Sequence, residues 1–163
     1  MVNDKNGKPL YSWRVLILPY IEGDRLYKEF HLDEPWDSPH NLTLLEKMPS
    51  PFRPFNPRAK CPADHTFYRV FVGKNTAYEP SVQVKIGSME KPGETFLVVE
   101  GATPVPWTKP DELTVEENQP LPPLAGVWPK WFKVAMADGS VQRFPKPLNE
   151  DEIRPMVYRV KPK

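Results

Sequence analysis

The chain has 163 residues, with 22 basic and 21 acidic side chains and a formal net charge of +1. Because both signs are mixed along the chain, the charge pattern predicts neither nucleic acid nor an anionic membrane as a partner. No apolar run approaches the length of a membrane span, so no membrane contact is expected of these residues themselves. The apolar share of 39% predicts a folded chain, and the length fits one globular domain over residues 1–163.

Proline is the unusual component, with 22 residues in 163. Each proline removes a backbone donor and biases its predecessor away from helix, so short elements joined by extended loops are expected. The single cysteine, Cys61, excludes an internal disulfide and a cysteine-rich zinc site, because both need several sulfurs.

Three short helices are predicted in the first third of the chain. Ser12 is a candidate N-cap for an apolar run over 13–21, which reads as a helix interrupted near Pro19 or, alternatively, as a buried strand. Residues 22–30 follow as a second helix, whose expected buried stripe is Leu26, Tyr27 and Phe30. Ser38 and Pro39 then look like the N-cap and first residue of a third helix, ending before residue 49, with a buried stripe of Leu42, Leu45 and Met48.

Two proline-rich segments read as extended connections held by aromatic side chains. In residues 49–62 the expected anchors are Phe52 and Phe55, and in residues 104–129 they are Trp107 and Trp128. The second segment has no clear secondary structure, which makes it a candidate place for partner contact.

Strands are predicted over 66–72 and 95–100, where β-branched and aromatic residues concentrate. Residues 132–137 and 140–144 flank an Asp138-Gly139 pair, the preferred chemistry of a tight β-hairpin. A terminal helix is expected from Asn149 towards Val157. Helices first and strands afterwards predict an α+β fold, with short N-terminal helices packed on an antiparallel sheet that contains this hairpin.

Several segments together closely resemble domain-of-unknown-function family 1559, the prepilin-like proteins of planctomycete bacteria. They are Gly7-Lys-Pro-Leu10, Ser12-Trp-Arg-Val-Leu-Ile-Leu-Pro-Tyr-Ile-Glu22, His31-Leu-Asp-Glu-Pro-Trp-Asp-Ser-Pro-His-Asn41, Val98-Val-Glu100, Val105-Pro-Trp-Thr-Lys-Pro110 and Asp138-Gly-Ser-Val141.

The resemblance implies an extracytoplasmic, pilin- or pseudopilin-like head that works at the cell surface or in secretion, through protein partners or self-assembly. Members usually carry an N-terminal prepilin signal and hydrophobic helix, which these residues lack. The sequence is therefore expected to be either an excised domain or a member without its anchor. The family's usual turn before the Val-Val-Glu strand is replaced by residues 88–94, so no role of that turn carries over, and no catalytic residue is implied.

Candidate metal ligands crowd the segment 31–40, in which an Asp, Glu and His set can converge on a divalent ion. Its members are His31, Asp33, Glu34, Asp37 and His40. The competing interpretation is structural: acids that precede a helix favour its dipole, and Asp37 can cap it beside Ser38. We favour the structural interpretation and predict no cofactor.

Two further arrangements suggest an enzyme, a metal-dependent or thiol hydrolase. Cys61 and His65, with Asp64 between them, are the parts of a nucleophile and base, but no recognisable oxyanion setting accompanies them. Glu100 and Asp138 are possible paired carboxylates of the kind that glycosidases use, but we favour the structural explanation, a strand end for Glu100 and the hairpin turn for Asp138.

A binding domain for carbohydrate or peptide is the remaining alternative. Trp107, Trp128 and Trp131 can form an aromatic platform if they are exposed. Since none of these arrangements makes a coherent active site, we predict a non-catalytic module.

Overall fold

The structure is a computed structural model that describes residues 3–5, 7, 9–56, 59–80, 82–124 and 127–160. The chain forms two compact units, Met1–Thr66 with Pro104–Asp111, and Phe67–Thr103 with Glu112–Lys163. In the described ranges no helix is long and apolar enough to cross a membrane. Residues 57 and 58, and 125 and 126, of the two proline-rich segments lie outside the described residues.

The first unit begins with two helices where the apolar periodicity predicts them. Helix α1, Trp13–Leu16, is capped by Ser12, whose Oγ accepts a bond from the Arg14 backbone N–H at 3.3 Å. A 3-10 turn, Leu18–Tyr20, follows and contains Pro19, so the predicted interruption is confirmed. Helix α2 spans Asp24–Glu29, and Phe30 behind it is buried.

Helix α3, Pro39–Leu42, starts at the predicted cap, where Ser38 Oγ accepts a bond from the Asn41 N–H at 3.2 Å. The 3-10 turns Leu45–Lys47 and Ser50–Phe52 follow it. The predicted buried stripe is wrong at Leu42, which is 42% exposed, while Leu44 is buried. α3 is only four residues long, so a periodicity extended through residue 48 does not follow one helix.

A hydrophobic core lies inside this first unit. Its centre is Trp107, whose ring stacks on Phe52 and meets Phe30 edge-on, with centroid separations of 5.8 and 5.7 Å. Phe52 is the anchor that the first proline-rich segment predicts, but Phe55 is 75% exposed and that expectation is wrong. The buried members are Tyr11, Val15, Leu18, Phe30, Leu44, Met48, Phe52 and Trp107.

Strands β1 (His65–Arg69), β3 (Phe96–Pro106), β5 (Trp131–Met136) and β6 (Val141–Pro145) form a four-stranded antiparallel sheet in the order β1-β3-β5-β6. Strands β2, Phe71–Val72, and β4, Leu113–Thr114, form a separate parallel pair. Short 3-10 turns at Ile86–Ser88 and Pro92–Glu94 precede β3. The α+β class with an antiparallel sheet is confirmed.

The β5–β6 hairpin forms at the predicted Asp138-Gly139 pair. Gly139 has φ +87°, a conformation that glycine adopts without steric cost, and Asp138 Oδ1 accepts a bond from the Ser140 N–H at 2.9 Å. The second unit then contains helix α4, Glu150–Val157, at the position predicted for a terminal helix, and the Asn149 side chain caps it.

A second hydrophobic core lies inside the second unit. The inward-facing residues of β3 and β5 pack with one face of α4 because both surfaces are apolar. Its buried members are Phe71, Phe96, Val99, Leu113, Val115, Leu124, Phe132, Val134, Met136, Ile153, Val157 and Tyr158.

Candidate functional site

The segment 31–40 is held in place by Asn41, a fully buried side chain. Its Oδ1 accepts a bond from the His31 N–H at 3.0 Å. Its Nδ2 donates to the carbonyl oxygens of His31, Glu34 and Pro35 at 3.0, 3.4 and 3.1 Å. Because the amide NH2 group has two hydrogens, the 3.4 Å contact to Glu34 shares a hydrogen with one of the shorter bonds. One amide thereby binds four backbone groups of an irregular segment, so it holds this segment in place.

The two histidines of the segment contact each other and do not point at a shared ligand. Their rings are stacked, 3.6 Å apart and 2° from parallel. His31 Nδ1 lies 3.0 Å from a Glu34 carboxylate oxygen, and His40 Nε2 lies 2.8 Å from the Glu29 carbonyl oxygen. Glu34 has a lowered pKa because its carboxylate accepts bonds from Ser38 and His31. Both rings therefore have partners inside the fold.

The aspartates of the segment do not gather with the histidines around one point. Asp33 and Asp37 are exposed, and the helix cap is Ser38 rather than Asp37. Among the described residues, which include all the candidates, no group of three or more His, Cys, Asp or Glu side chains is placed to hold a metal ion. The structure brings His31 together with Glu34 and with His40, and does not gather the set around one point.

Cys61 and His65 do not form a nucleophile–base pair in this geometry. The Cys61 thiol donates to the His65 carbonyl oxygen at 3.3 Å, and His65 Nδ1 lies 2.7 Å from the Asp64 carboxylate. Burial raises the pKa of the Cys61 thiol, and the nearby Asp64 charge raises it further. Since the thiolate is the nucleophile, this setting disfavours the reactive form.

Glu100 and Asp138 are likewise bonded to separate partners. The Glu100 carboxylate accepts the Lys133 backbone N–H at 3.0 Å, whereas Asp138 binds Ser140 in the hairpin turn. From Lys133 to the end of β5 alone is about 10 Å of strand. The two acids are therefore not a carboxylate pair.

Glu100 is nevertheless the most unusual acid in the second unit. It is 1% exposed, and burial raises its pKa while the Lys133 and Lys146 charges oppose that effect. It lies where β3 stops pairing with β5 at Val99 and pairs with the segment around Leu124 through Gly101. The carboxylate thus satisfies the β5 backbone N–H that the departing strand leaves behind.

The three tryptophans of the predicted platform separate into two groups. Trp107 is 0% exposed and its Nε1 donates to the Leu45 carbonyl oxygen at 3.0 Å, so its assignment to a partner surface is wrong. Trp128 and Trp131 are half-buried and stacked, with centroids 4.5 Å apart. The Arg143 guanidinium lies 4.8 Å from the Trp131 ring centroid. Of the predicted aromatic platform, the structure therefore keeps only the Trp128 and Trp131 pair, with the Arg143 guanidinium over one ring.

Arg14 is a structural residue that sequence reasoning missed. It is fully buried within the first unit, where Nε donates to the Trp107 carbonyl at 2.8 Å and Nη2 to the Lys109 carbonyl at 2.9 Å. A single arginine inside the apolar run 13–21 is the signal that was available, because a charge on a buried helix must find acceptors.

Cavities of about 190 and 300 Å³ lie among the described residues of the second unit. Tyr158 lines both, together with charged residues such as Glu152 and Arg159 in the smaller and Glu116 and Lys74 in the larger. Neither is lined by a residue that the sequence singled out as a candidate. Ligand sites usually measure about 300–1,000 Å³, so the smaller cavity is below that range and the larger one is at its lower limit.

The geometry describes an α+β chain in which the candidate reactive groups are engaged in internal bonds. A family model described as "Protein of unknown function (DUF1559)" matches residues 1–107. The chain belongs to this family, which confirms the resemblance drawn from its motifs. No curated protein matches the chain, and no solved structure matches it.

Proposed function

We propose that this chain is a non-catalytic structural or interaction module that works outside the cytoplasm, as the head of a pilin- or pseudopilin-like protein at the cell surface or in secretion. Membership of the DUF1559 family supports the proposal through the prepilin-like character that the resemblance implies. The observation that carries it is that polar side chains capable of catalysis or ligand binding make hydrogen bonds to the protein's own backbone instead. Asn41, Cys61 and Glu100 are examples.

Catalysis and ligand binding need reactive groups that a substrate can reach. A nucleophile, base or ligand must present its reactive atom to a substrate with a suitable pKa. In this chain the Cys61 pKa is raised and the His65 ring is paired with Asp64. A protein that works by assembly needs a stable frame instead, and these bonds supply one.

The proposal is tested by measuring first where the chain is located in the cell and then whether it assembles with other proteins. An antibody against the chain would be used on fractionated cells of the organism that makes it, with protease added to intact cells in parallel. We expect the chain outside the cytoplasmic membrane, accessible to protease, and recovered by crosslinking in a complex of defined stoichiometry. A chain confined to the cytoplasm, or one that migrates alone after crosslinking, contradicts the proposal.

Two variants distinguish the proposed structural module from a hydrolase. Cys61→Ser and Glu100→Gln are expected to change thermal stability and leave crosslinked assembly intact. A hydrolase would instead show turnover of ester or peptide substrates that Cys61→Ser or removal of divalent ions abolishes. Such turnover would replace the proposal.

A second candidate function is peptide or carbohydrate binding, favoured by the stacked Trp128 and Trp131 pair under Arg143. Stacked indoles provide a large, rigid contact area. Quenching or blue-shift of tryptophan fluorescence on titration with oligosaccharides or peptides tests it, and a Trp131→Ala variant that leaves the response unchanged argues against it.

A further inference from the structure

Strand β6 is the edge of the four-stranded sheet, and the register of the hairpin shows which of its backbone groups face outwards. Lys146 N–H donates to the Lys130 carbonyl and Met136 N–H to the Ser140 carbonyl, at 2.9 and 2.8 Å. These bonds and the β5–β6 register place the groups of Gln142 and Phe144 towards β5. The N–H and C=O groups of Val141 and Arg143 therefore point away from the sheet.

These outward groups are available to another strand. Val141 is 63% exposed and Arg143 is also exposed. In the part of the chain that the structure describes, the β5–β6 register leaves neither backbone N–H a partner on β5, and neither bonds to a turn or loop backbone group there. Pro145 is at the next outward position, where its missing N–H costs the sheet nothing, as is usual for proline on an edge strand. The usable edge is thus Val141 to Arg143, extended by the Pro145 carbonyl.

The side chains at this edge are cationic. Arg143 is directly opposite Lys133 in the register, in a pair without mutual backbone bonds, where side chains come closest. Both cations also lie over the Trp131 ring, at 4.8 and 5.9 Å from its centroid. The nearest acid on the neighbouring strand, Glu100, is buried and bonded to the Lys133 backbone. The exposed Arg143 charge lies on the edge strand itself and favours an incoming carboxylate.

The same charges argue against a second copy of this chain as the occupant. If β6 paired with β6 of another copy about a twofold axis centred on Arg143, the two arginines would face each other, and like charges directly opposite are destabilising. An extended segment with acidic residues at alternate positions would place its carboxylates on the sheet face that carries Arg143, one of them directly beside it.

We propose that β6 is a docking edge for an extended, acidic segment of a partner protein, which adds as a fifth strand with its carboxylate against Arg143. This inference deepens the proposed function and rests on it, because it names how an interaction module engages its partner. Main-chain bonds supply affinity in such strand addition, and alternate side chains supply selectivity.

Amide hydrogen exchange by NMR reads the edge directly. The probe is a terminally blocked peptide, Val-Glu-Val-Glu-Val-Thr, added in the millimolar range to the isotope-labelled chain, with a matched peptide in which lysine replaces both glutamates. At saturation we expect exchange of the Val141 and Arg143 amides to slow by at least about tenfold. The Gln142 and Phe144 amides already bond to β5 and should not respond. The lysine peptide should give no protection.

Charge variants test the selectivity. Arg143→Glu should weaken binding of the acidic peptide by about tenfold, while Arg143→Lys should bind nearly as the native chain does. The reversed charge faces Lys133, so the hairpin is expected to remain folded. Unchanged chemical shifts in β5 confirm that it does.

Three results overturn the inference. Equal protection by both peptides removes the acidic partner, and no protection by either removes strand addition. Protection that appears without peptide as protein concentration rises identifies a second copy as the occupant. None of these results affects the location and crosslinking test of the proposed function, so the two can fail separately.

Discussion

Asn41 offers the sharpest test of how the 31–40 segment is held. Its side chain contacts four backbone groups. Oδ1 and the two amide hydrogens account for three well-formed bonds, at 3.1 Å or shorter, and the fourth contact, at 3.4 Å, shares a hydrogen. At about 1 kcal/mol of net stability for each well-formed bond, Asn41→Ala should lower the free energy of unfolding by roughly 3 kcal/mol.

Asn41→Asp makes a stronger test because it is nearly isosteric. A carboxylate still accepts the His31 N–H, but it cannot donate to the carbonyl oxygens of His31, Glu34 and Pro35 and places a negative charge against them. Its folded-state pKa should be raised, so the protonated form should be favoured in the native chain. The loss should be at least as large as for alanine near neutral pH, and about 1 kcal/mol or more should be regained on acidification towards pH 4.

Urea denaturation followed by tryptophan fluorescence measures both variants, with the m-value unchanged from the native chain as the condition for comparison. Asn118→Asp, the same charge change at an exposed position, is the matched control and should shift stability by less than about 0.5 kcal/mol. A loss below about 1 kcal/mol for Asn41→Ala, or an Asp variant without pH dependence, would refute the reasoning.

Three further predictions concern other parts of the chain. The Glu100 pKa is raised in the fold, so the group's contribution to stability is fully present below its unfolded pKa and is lost as pH rises through the folded pKa. Glutamine does not titrate, so the melting temperature of Glu100→Gln minus that of the native chain should increase from about pH 4 to pH 8. A constant difference contradicts this. Gly73→Ala should destabilise by about 1–3 kcal/mol because its Cβ would lie 2.5 Å from the Val115 carbonyl oxygen, whereas Gly87→Ala, with no atom within 4 Å, should be neutral or slightly stabilising in denaturant titrations. The raised pKa of the Cys61 thiol predicts slower alkylation by iodoacetamide at pH 8 in the native chain than in urea. Equal rates would show that the fold does not suppress ionisation of the thiol.

The features that the sequence predicted correctly are those in which neighbouring residues determine the conformation. Ser12 and Ser38 cap the helices that follow them because a hydroxyl reaches an N–H two or three residues ahead. Gly139 closes the hairpin because glycine alone adopts positive φ without strain.

The long-range features required the tertiary structure. Trp107 and Phe55 occur in similar proline-rich surroundings, yet one is 0% and the other 75% exposed, because burial depends on what distant residues bring to the same place. The donors and acceptors of Arg14 and Glu100 lie 93 and 33 residues away. The sequence by itself determined the helix starts, the hairpin and the α+β class. Only the fold decided that these polar groups join distant segments, because a hydrogen bond needs a partner within about 3 Å whatever the distance along the chain.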